Sequence, residues 1–320
     1  MKFKEYVDVF IKERALTLSP VTIINYRREI EKAAKELGER EMRDIGFLDM
    51  KRYFVDLQSS GANSHTRHLL KHGTLVQHYI ILHAFFENAC ENEEIEINPM
   101  TKLKRPRQRK DEVIREPLFY SEYEVKYILE CVRKEPLMWR TLMFFMIDSG
   151  CRCGEAVALK WEEIDFETGS VNICRNAQYT PERGVYICSP KSGRNREIFL
   201  NKPVLEVLGE WKMTQETKSK TKGINYNGFC FTKRNGELMM PGCFNAYLRR
   251  FGRKYGVNGI HPHALRHTMA SISITNGADI VSVSKKLGHS NVAITLNIYS
   301  HANEEAQKRA NDVLAKVIYE

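Results

Sequence analysis

Six residues beyond position 150 have the side chains needed to work on a phosphodiester: Arg152, Lys191, His263, Arg266, His289 and Tyr299. A phenol attacks phosphorus only after losing its proton, and with a pKa near 10 the phenolate costs about 4 kcal/mol to populate at pH 7. Neighbouring cations or a base must lower that cost. His263 suits the base role or a phosphate contact, and the guanidiniums of Arg152 and Arg266 suit the non-bridging oxygens, where charge gathers in the transition state. A lysine can protonate the departing oxygen.

Each residue also has a plainer reading. Tyr299 stands at helical spacing from Ile294 and Leu296 and could be core. Arg152, in "SGCRCGEA", could pair with Glu155. Lys191, in "SPKSGRN", falls at the expected tip of a hairpin, where an idle lysine is common. "HPHALRHT" could be a capped helix start, although His263 and Arg266 at i and i+3 point one way near a positive helix end and His267 repeats the theme one turn later.

The elements that must carry these residues fall into two groups. In the first hundred residues, Phe3, Tyr6, Val7, Phe10 and Ile11 form one apolar stripe, and Ser19-Pro20 opens a second helix running to Gly38. A third covers roughly 48–57, and a fourth about 66–92. The stretch "INPMTKLKRPRQRKDE" follows, in which six of the ten residues 101–110 are basic and none is acidic. It reads as a seam, either a solvated linker or one laid along phosphates.

Past the seam, Ser121 and Glu124 form a capping box, and "LMWRTLMFFMID" makes a mostly buried helix. Three β-rich stretches, "EEIDFETGSVNICRN", "GVYICSP" and "REIFL", predict a small three-stranded antiparallel sheet. Helices are expected at about 203–217, 241–255, 262–275, 279–286 and 291–299, then an amphipathic tail with Ala306, Ala310, Val313, Leu314 and Val317 on one face. That tail either packs on its own domain or docks on a neighbour. The fold class is therefore mainly α with a small antiparallel β-sheet, divided as residues 1–98, a basic linker 99–116, a catalytic region 117–300 and a tail 301–320.

Composition narrows the partners. At 320 residues and a formal net charge of +9, with lysine and arginine throughout, the chain suits a polyanion. No uncharged apolar run approaches the roughly 18 residues needed to span a bilayer, and the charged amino terminus reads neither as signal peptide nor as anchor. A cytoplasmic, nucleoid-associated protein is expected. The eight cysteines are scattered; Cys151 and Cys153 form a C-x-C without partner ligands, so no metal is expected. The absence of a G-x-x-x-x-G-K-[ST] loop argues against ATP use and leaves no cofactor to predict.

In order along the chain, "SGCRCGEAVALKWEEIDFETGSVNI", "PKSGRNREIFL" and "HPHALRHTMASISITNGADIVSVSKKLGHSNVAITLNIYSH" resemble the arginine, lysine, H-x-x-R, G-H and tyrosine boxes of the tyrosine recombinase (phage integrase) superfamily. "LSPVTIINYRREI" and "HYIILHAFFENACENEEIEINPM" are similar to its helical core-binding (SAM-like) module, so the resemblance spans most of the chain. It implies a catalytic set of Arg152, Lys191, His263, Arg266, His289 and Tyr299, with Tyr299 as nucleophile. Thr22, Arg27, Lys102, Lys104, Arg105 and Arg107 are the corresponding candidates for DNA contact.

What the resemblance implies further is cutting of one strand at a time through a 3′-phosphotyrosine, by four protomers on two double-stranded DNA sites with inverted-repeat cores. The tail would regulate a neighbour's tyrosine, and an accessory directionality factor is a further partner it allows. "SKKLGHSNVAITLNIYSHA" is most similar to integrases of conjugative transposons and temperate phages. Many of those carry an amino-terminal arm-binding domain before the core-binding helices, with which this sequence begins almost at once; simple sites or loss of that domain are the two expectations. Two rival functions stay open: a helix-turn-helix regulator built on "ADIVSVSKKLGHSNVAITLNIY", and a type IB topoisomerase.

Overall fold

A computed structural model describes residues 1–59, 69–109, 112, 117–191 and 193–298. The chain divides into two compact units, Met1–Arg115 and Glu116–Glu320.

The first unit is built from helices α1 (Phe3–Arg14), α2 (Pro20–Leu37), α3 (Phe47–Ser59) and α4 (His72–Glu91). The apolar stripe of α1 is buried as its spacing requires, and Phe3, Tyr6 and Phe10 all meet the ring of Phe85 on α4. Ser19 caps α2 by accepting from Thr22 N–H at 3.3 Å, ahead of Pro20. Helix α4 begins at His72, later than its sequence pattern predicts, because Lys71 is the extended residue at its start. Polar side chains cross this core in a closed chain: the Tyr53 hydroxyl is 2.8 Å from His78 Nε2, and His78 Nδ1 is 3.2 Å from Glu29 Oε2.

The second unit opens with α5 (Glu122–Arg133), whose capping box forms as predicted, with Ser121 N–H donating to Glu124 at 2.8 Å. Helix α6 (Leu137–Ser149) ends at Gly150, and the short α7 (Cys153–Val157) follows. Four strands come next: β1 (Ser170–Ile173), β2 (Asn176–Thr180), β3 (Gly184–Cys188) and β4 (Arg196–Phe199). They form two separate two-stranded antiparallel ladders, β1 with β4 and β2 with β3, rather than one three-stranded sheet. The difference comes from β2, "NAQYT", whose polar residues hide a strand. It pairs with β3 around Pro181–Arg183 and leaves β4 to return to β1.

Helices α8 (Lys202–Lys222), α9 (Pro241–Tyr255), α10 (Pro262–Thr275), α11 (Ile280–Leu287) and α12 (Val292–Ile298) complete the described part. A proline at N1 or N2 opens α8, α9 and α10, where its missing N–H costs nothing. Helix α8 runs five residues past the predicted end to Gly223, because its "KSKTK" continuation, although fully polar, contains no breaker. Phe145, Phe231, Phe244, Leu248 and Ala264 lie at the centre of the core, which α10 enters alongside α6. Among the described residues no helix is long and apolar enough to cross a membrane.

Candidate active site

The carboxyl end of α11 organises the site. Three successive carbonyls there accept from three arginines drawn from distant parts of the second unit. Lys286 O takes Arg196 Nε at 2.9 Å, Leu287 O takes Arg266 Nη2 at 2.8 Å, and Gly288 O takes Arg152 Nη2 at 3.4 Å. The last carbonyls of a helix have no partner within it and carry the negative end of its dipole, so guanidiniums suit them. Gly288 follows in the left-handed region at φ 69°, turning the chain into His289.

Each arginine is fixed from a second side. Arg266, on the inner face of α10, is 4% exposed, and its Nη1 donates to Gly150 O at 2.7 Å. It therefore bridges the ends of two helices, each closed by a left-handed glycine. Arg152 precedes α7, where its own N–H donates to Glu155 Oε2 at 3.0 Å and its Nη1 to Oε1 at 3.1 Å. Glu155 is the pairing partner foreseen as the plainer reading for Arg152, but it is shared: Arg196 donates through Nη1 to Oε1 at 3.1 Å and through Nη2 to Oε2 at 2.6 Å. The Glu155 side chain is wholly buried.

Three guanidiniums around one carboxylate leave two positive charges in excess, in a place largely shielded from water. Burial first, then Arg152, pull Arg266 down to about 10, while Glu155 works the other way. Arg266 stays protonated at neutral pH. Burial pushes the Glu155 carboxyl up, yet the Arg196 fork more than offsets it and the net direction is down. An anion placed here would relieve the imbalance.

The histidines respond to the same field. Desolvation, then Arg266 and Arg152, lower His289 to about 4. His267 falls to about 4 through desolvation, His263 and Arg266. His263, exposed on the first turn of α10, is lowered by desolvation and then by Arg266, His261, Arg152 and Lys191. These imidazoles are neutral at pH 7, so the cluster avoids the self-repulsion that charged histidines would create. His289 Nδ1 lies 2.8 Å from the hydroxyl of Thr295 on α12, whose residue is fully buried.

Arg152, Lys191, His263, Arg266 and His289 thus share one electrostatic neighbourhood. Lys191 is exposed, but not at a hairpin tip: it stands in the connection from β3 to β4, which carries the chain from one ladder to the other. Tyr299 and the tail lie outside the described residues. The apolar neighbours invoked for a core role of Tyr299 are themselves exposed, Ile294 at 40% and Leu296 at 43%.

Sequence reasoning missed Arg196. Its signal was a charge at a core-facing position of a strand: Arg196 pairs with Ile173 and shares a face with Ile198, both buried. A cleft of 340 Å³ beside it is lined by Arg194, Arg196, Lys285, Gly288 and His289. A larger cleft of 690 Å³ lies on the first unit, lined by Phe47, Glu94, Ile97 and Lys102 among others, and of the predicted residues it holds Lys102 alone.

The candidates for DNA contact divide. Lys102, Lys104, Arg105 and Arg107 are exposed on irregular backbone. Thr22 is engaged with Ser19 at the start of α2, the two hydroxyls 2.8 Å apart. Arg27 is held by Asp8 at 2.8 Å.

Comparison with known proteins agrees with the geometry. The ICEBs1 integrase of Bacillus subtilis (strain 168) is 26% identical over 237 residues, covering 73% of this chain and 62% of its own length. A XerC-like tyrosine recombinase of Caldanaerobacter subterraneus is 26% identical over 321 residues, 93% of this chain and 78% of its own. In fold, the Tn1549 transposon integrase in complex with a circular intermediate DNA superposes with a TM-score of 0.79 at 19% identity, over 97% of this chain and 99% of that one. A lambda integrase dimer bound to a core site gives 0.68 at 17% identity, over 93% and 95%. Residues 119–306 match the phage integrase family, and the chain accordingly belongs to that family, the tyrosine recombinases.

Proposed function

We propose that this chain integrates or excises a mobile element by cutting and rejoining double-stranded DNA at inverted-repeat core sites, four protomers acting on two duplexes. Tyr299 is the nucleophile. Its phenolate oxygen bonds to the scissile phosphorus, the 5′ oxygen departs with a proton from Lys191, and the 3′-phosphotyrosine keeps the bond energy until a 5′-hydroxyl from the partner strand attacks. No external energy source enters. Arg152 and Arg266 bind the non-bridging oxygens, His263 takes the tyrosine proton, and His289 supports the phosphate.

The observation that carries this reading is the convergence of Arg152, Arg266 and the His289 turn on the end of α11. A guanidinium preset toward developing charge contributes about 3–4 kcal/mol by analogy with other preorganised donors. The neutral His263 supports a base role, because an imidazole that is unprotonated at pH 7 can accept the phenolic proton. On this reading the protein works on nucleoid DNA in the cytoplasm, in domains bounded near residues 98, 116 and 300, with a tail that regulates a neighbour and a directionality factor choosing between insertion and excision.

The test is a nicked suicide duplex carrying the element's own end sequence. The full chain should give an SDS-resistant protein-DNA adduct, and Tyr299→Phe should abolish it while binding stays near wild type. Normal binding with no wild-type adduct would favour a helix-turn-helix regulator. Relaxation of supercoils without a preferred site or strand exchange would favour a type IB topoisomerase.

A further inference from the structure

Arg196 is the most constrained of the three arginines. Its Nε donates to Lys286 O at 2.9 Å, its two terminal nitrogens grip both oxygens of Glu155, and Nη2 also lies 3.6 Å from Cys151 Sγ. The side chain is 9% exposed. Gly288 lies flat against it: a Cβ there would stand 3.0 Å from Arg196 Cδ and Nη1. Arg152, by contrast, gives Glu155 a single side-chain N–H and reaches Gly288 O at 3.4 Å. One guanidinium is thus a filled clamp, and the other is held loosely on the same carboxylate and the same turn.

We propose that Arg196 is a positioning residue of the strand-cleavage site, fixing Glu155, and through it Arg152, to the end of the helix that precedes His289. The inference rests on the catalytic reading above. Its logic is geometric. Glu155 anchors Arg152 from α7, Lys286 belongs to the end of α11, and no other described side chain donates to both. Remove the clamp and Glu155 keeps Arg152, but the pair is then tied to the His289 turn only by the long 3.4 Å contact of Arg152 with Gly288 O. Both sides of a phosphate would then be held by groups free to shift, and a misplacement of about 1 Å is enough to cost on the order of 10²-fold in rate.

Lysine retains the charge but not the planar fork, which needs two parallel N–H donors and a third at right angles. Arg196→Lys is therefore the informative change, and Arg196→Gln the severe one. Single-turnover adduct formation on the suicide duplex is measured at saturating DNA for the full chain, with duplex affinity determined separately and folding checked by circular dichroism. Arg196→Lys should fold, bind within about twofold of wild type and cleave about 10²-fold more slowly. Made in an Arg152→Ala background, the same change should add less than about threefold, since residues acting as a unit are not additive.

A wild-type rate for Arg196→Lys would overturn the inference. So would full additivity with Arg152→Ala, which would mean an independent phosphate contact, or a loss confined to affinity. If Arg196→Lys does not fold, the residue serves stability alone and the inference is likewise overturned, whatever Arg196→Gln does. A wild-type chain that forms no adduct would defeat the catalytic reading and this inference together; a normal wild-type adduct with an unaffected variant defeats only this one.

Discussion

Arg266 donates from Nη1 to the carbonyl oxygen of Gly150 at 2.7 Å, across 116 positions of sequence. Gly150 can aim that carbonyl because its φ is 61°, a conformation that costs a residue with a Cβ about 1–2 kcal/mol. A methyl group there would also overlap the Met269 side chain. Gly150→Ala should therefore lower stability by at least about 1–2 kcal/mol and slow adduct formation by more than its effect on folding explains. Thermal unfolding together with single-turnover cleavage checks this; a stable variant cleaving at the wild-type rate would contradict it.

The depressed histidines predict an acid sensitivity with a definite sign. His267 and His289 sit near 4 in the fold and near 6.5 when unfolded, so falling pH protonates the unfolded chain first. Their contribution is complete above about pH 6.5 and is lost progressively toward pH 4. The melting temperature should drop between pH 6.5 and 5, and the drop should be shallower in the double variant His267→Asn, His289→Gln. Parallel curves for the two proteins would remove these histidines as the cause.

Lys191 is exposed on the link between the two ladders and contributes to the field at His263. If it protonates the leaving oxygen, Lys191→Ala should cleave an ordinary suicide duplex about 10²–10⁴-fold more slowly. A substrate with a 5′-thio leaving group should restore the rate, because a thiolate leaves without a proton. Equal impairment on both substrates would deny lysine the acid role.

Basic residues on exposed backbone should act through salt. Replacing Lys102, Lys104, Arg105 and Arg107 with alanine should weaken duplex binding for all sequences alike and reduce the slope of log affinity against log salt by about 0.9 for each phosphate no longer neutralised. Arg27→Ala should change the slope less, since Asp8 already engages that guanidinium. An unchanged slope in the fourfold variant would take this segment off the DNA.

Where local chemistry decides, the structure could be read from residues alone. Pro241 and Pro262 at N1 placed the starts of α9 and α10, and the Ser121 box that of α5. Where pairing decides, it could not. Strand β2 is polar, so its alternation does not reveal the hairpin it makes with β3, and the pairing of β1 with β4 across that hairpin, which puts Lys191 in a turn between ladders instead of at a hairpin tip, is not local in sequence. The site divides in the same way. His263 and Arg266 stand out by their i, i+3 spacing at a helix start and Arg152 by the resemblance of its segment to the family's arginine box, whereas Arg196 looks like an ordinary strand-end charge until the face it shares with Ile198 is seen to be buried. Arg27, plausible as a phosphate ligand from its charge, is paired to Asp8 by the packing of α1 on α2.

The three carbonyls at the close of α11 also govern timing. During synthesis, Arg152, Arg196 and Arg266 all leave the ribosome before residues 286–288 exist to receive them. Until then Glu155 can hold Arg152 and Arg196, and Gly150 can hold Arg266, but the helix end that joins the two sets is missing. The arginines are thus gathered only by the last elements to be made, so a polypeptide ending before residue 286 should lack strand cleavage.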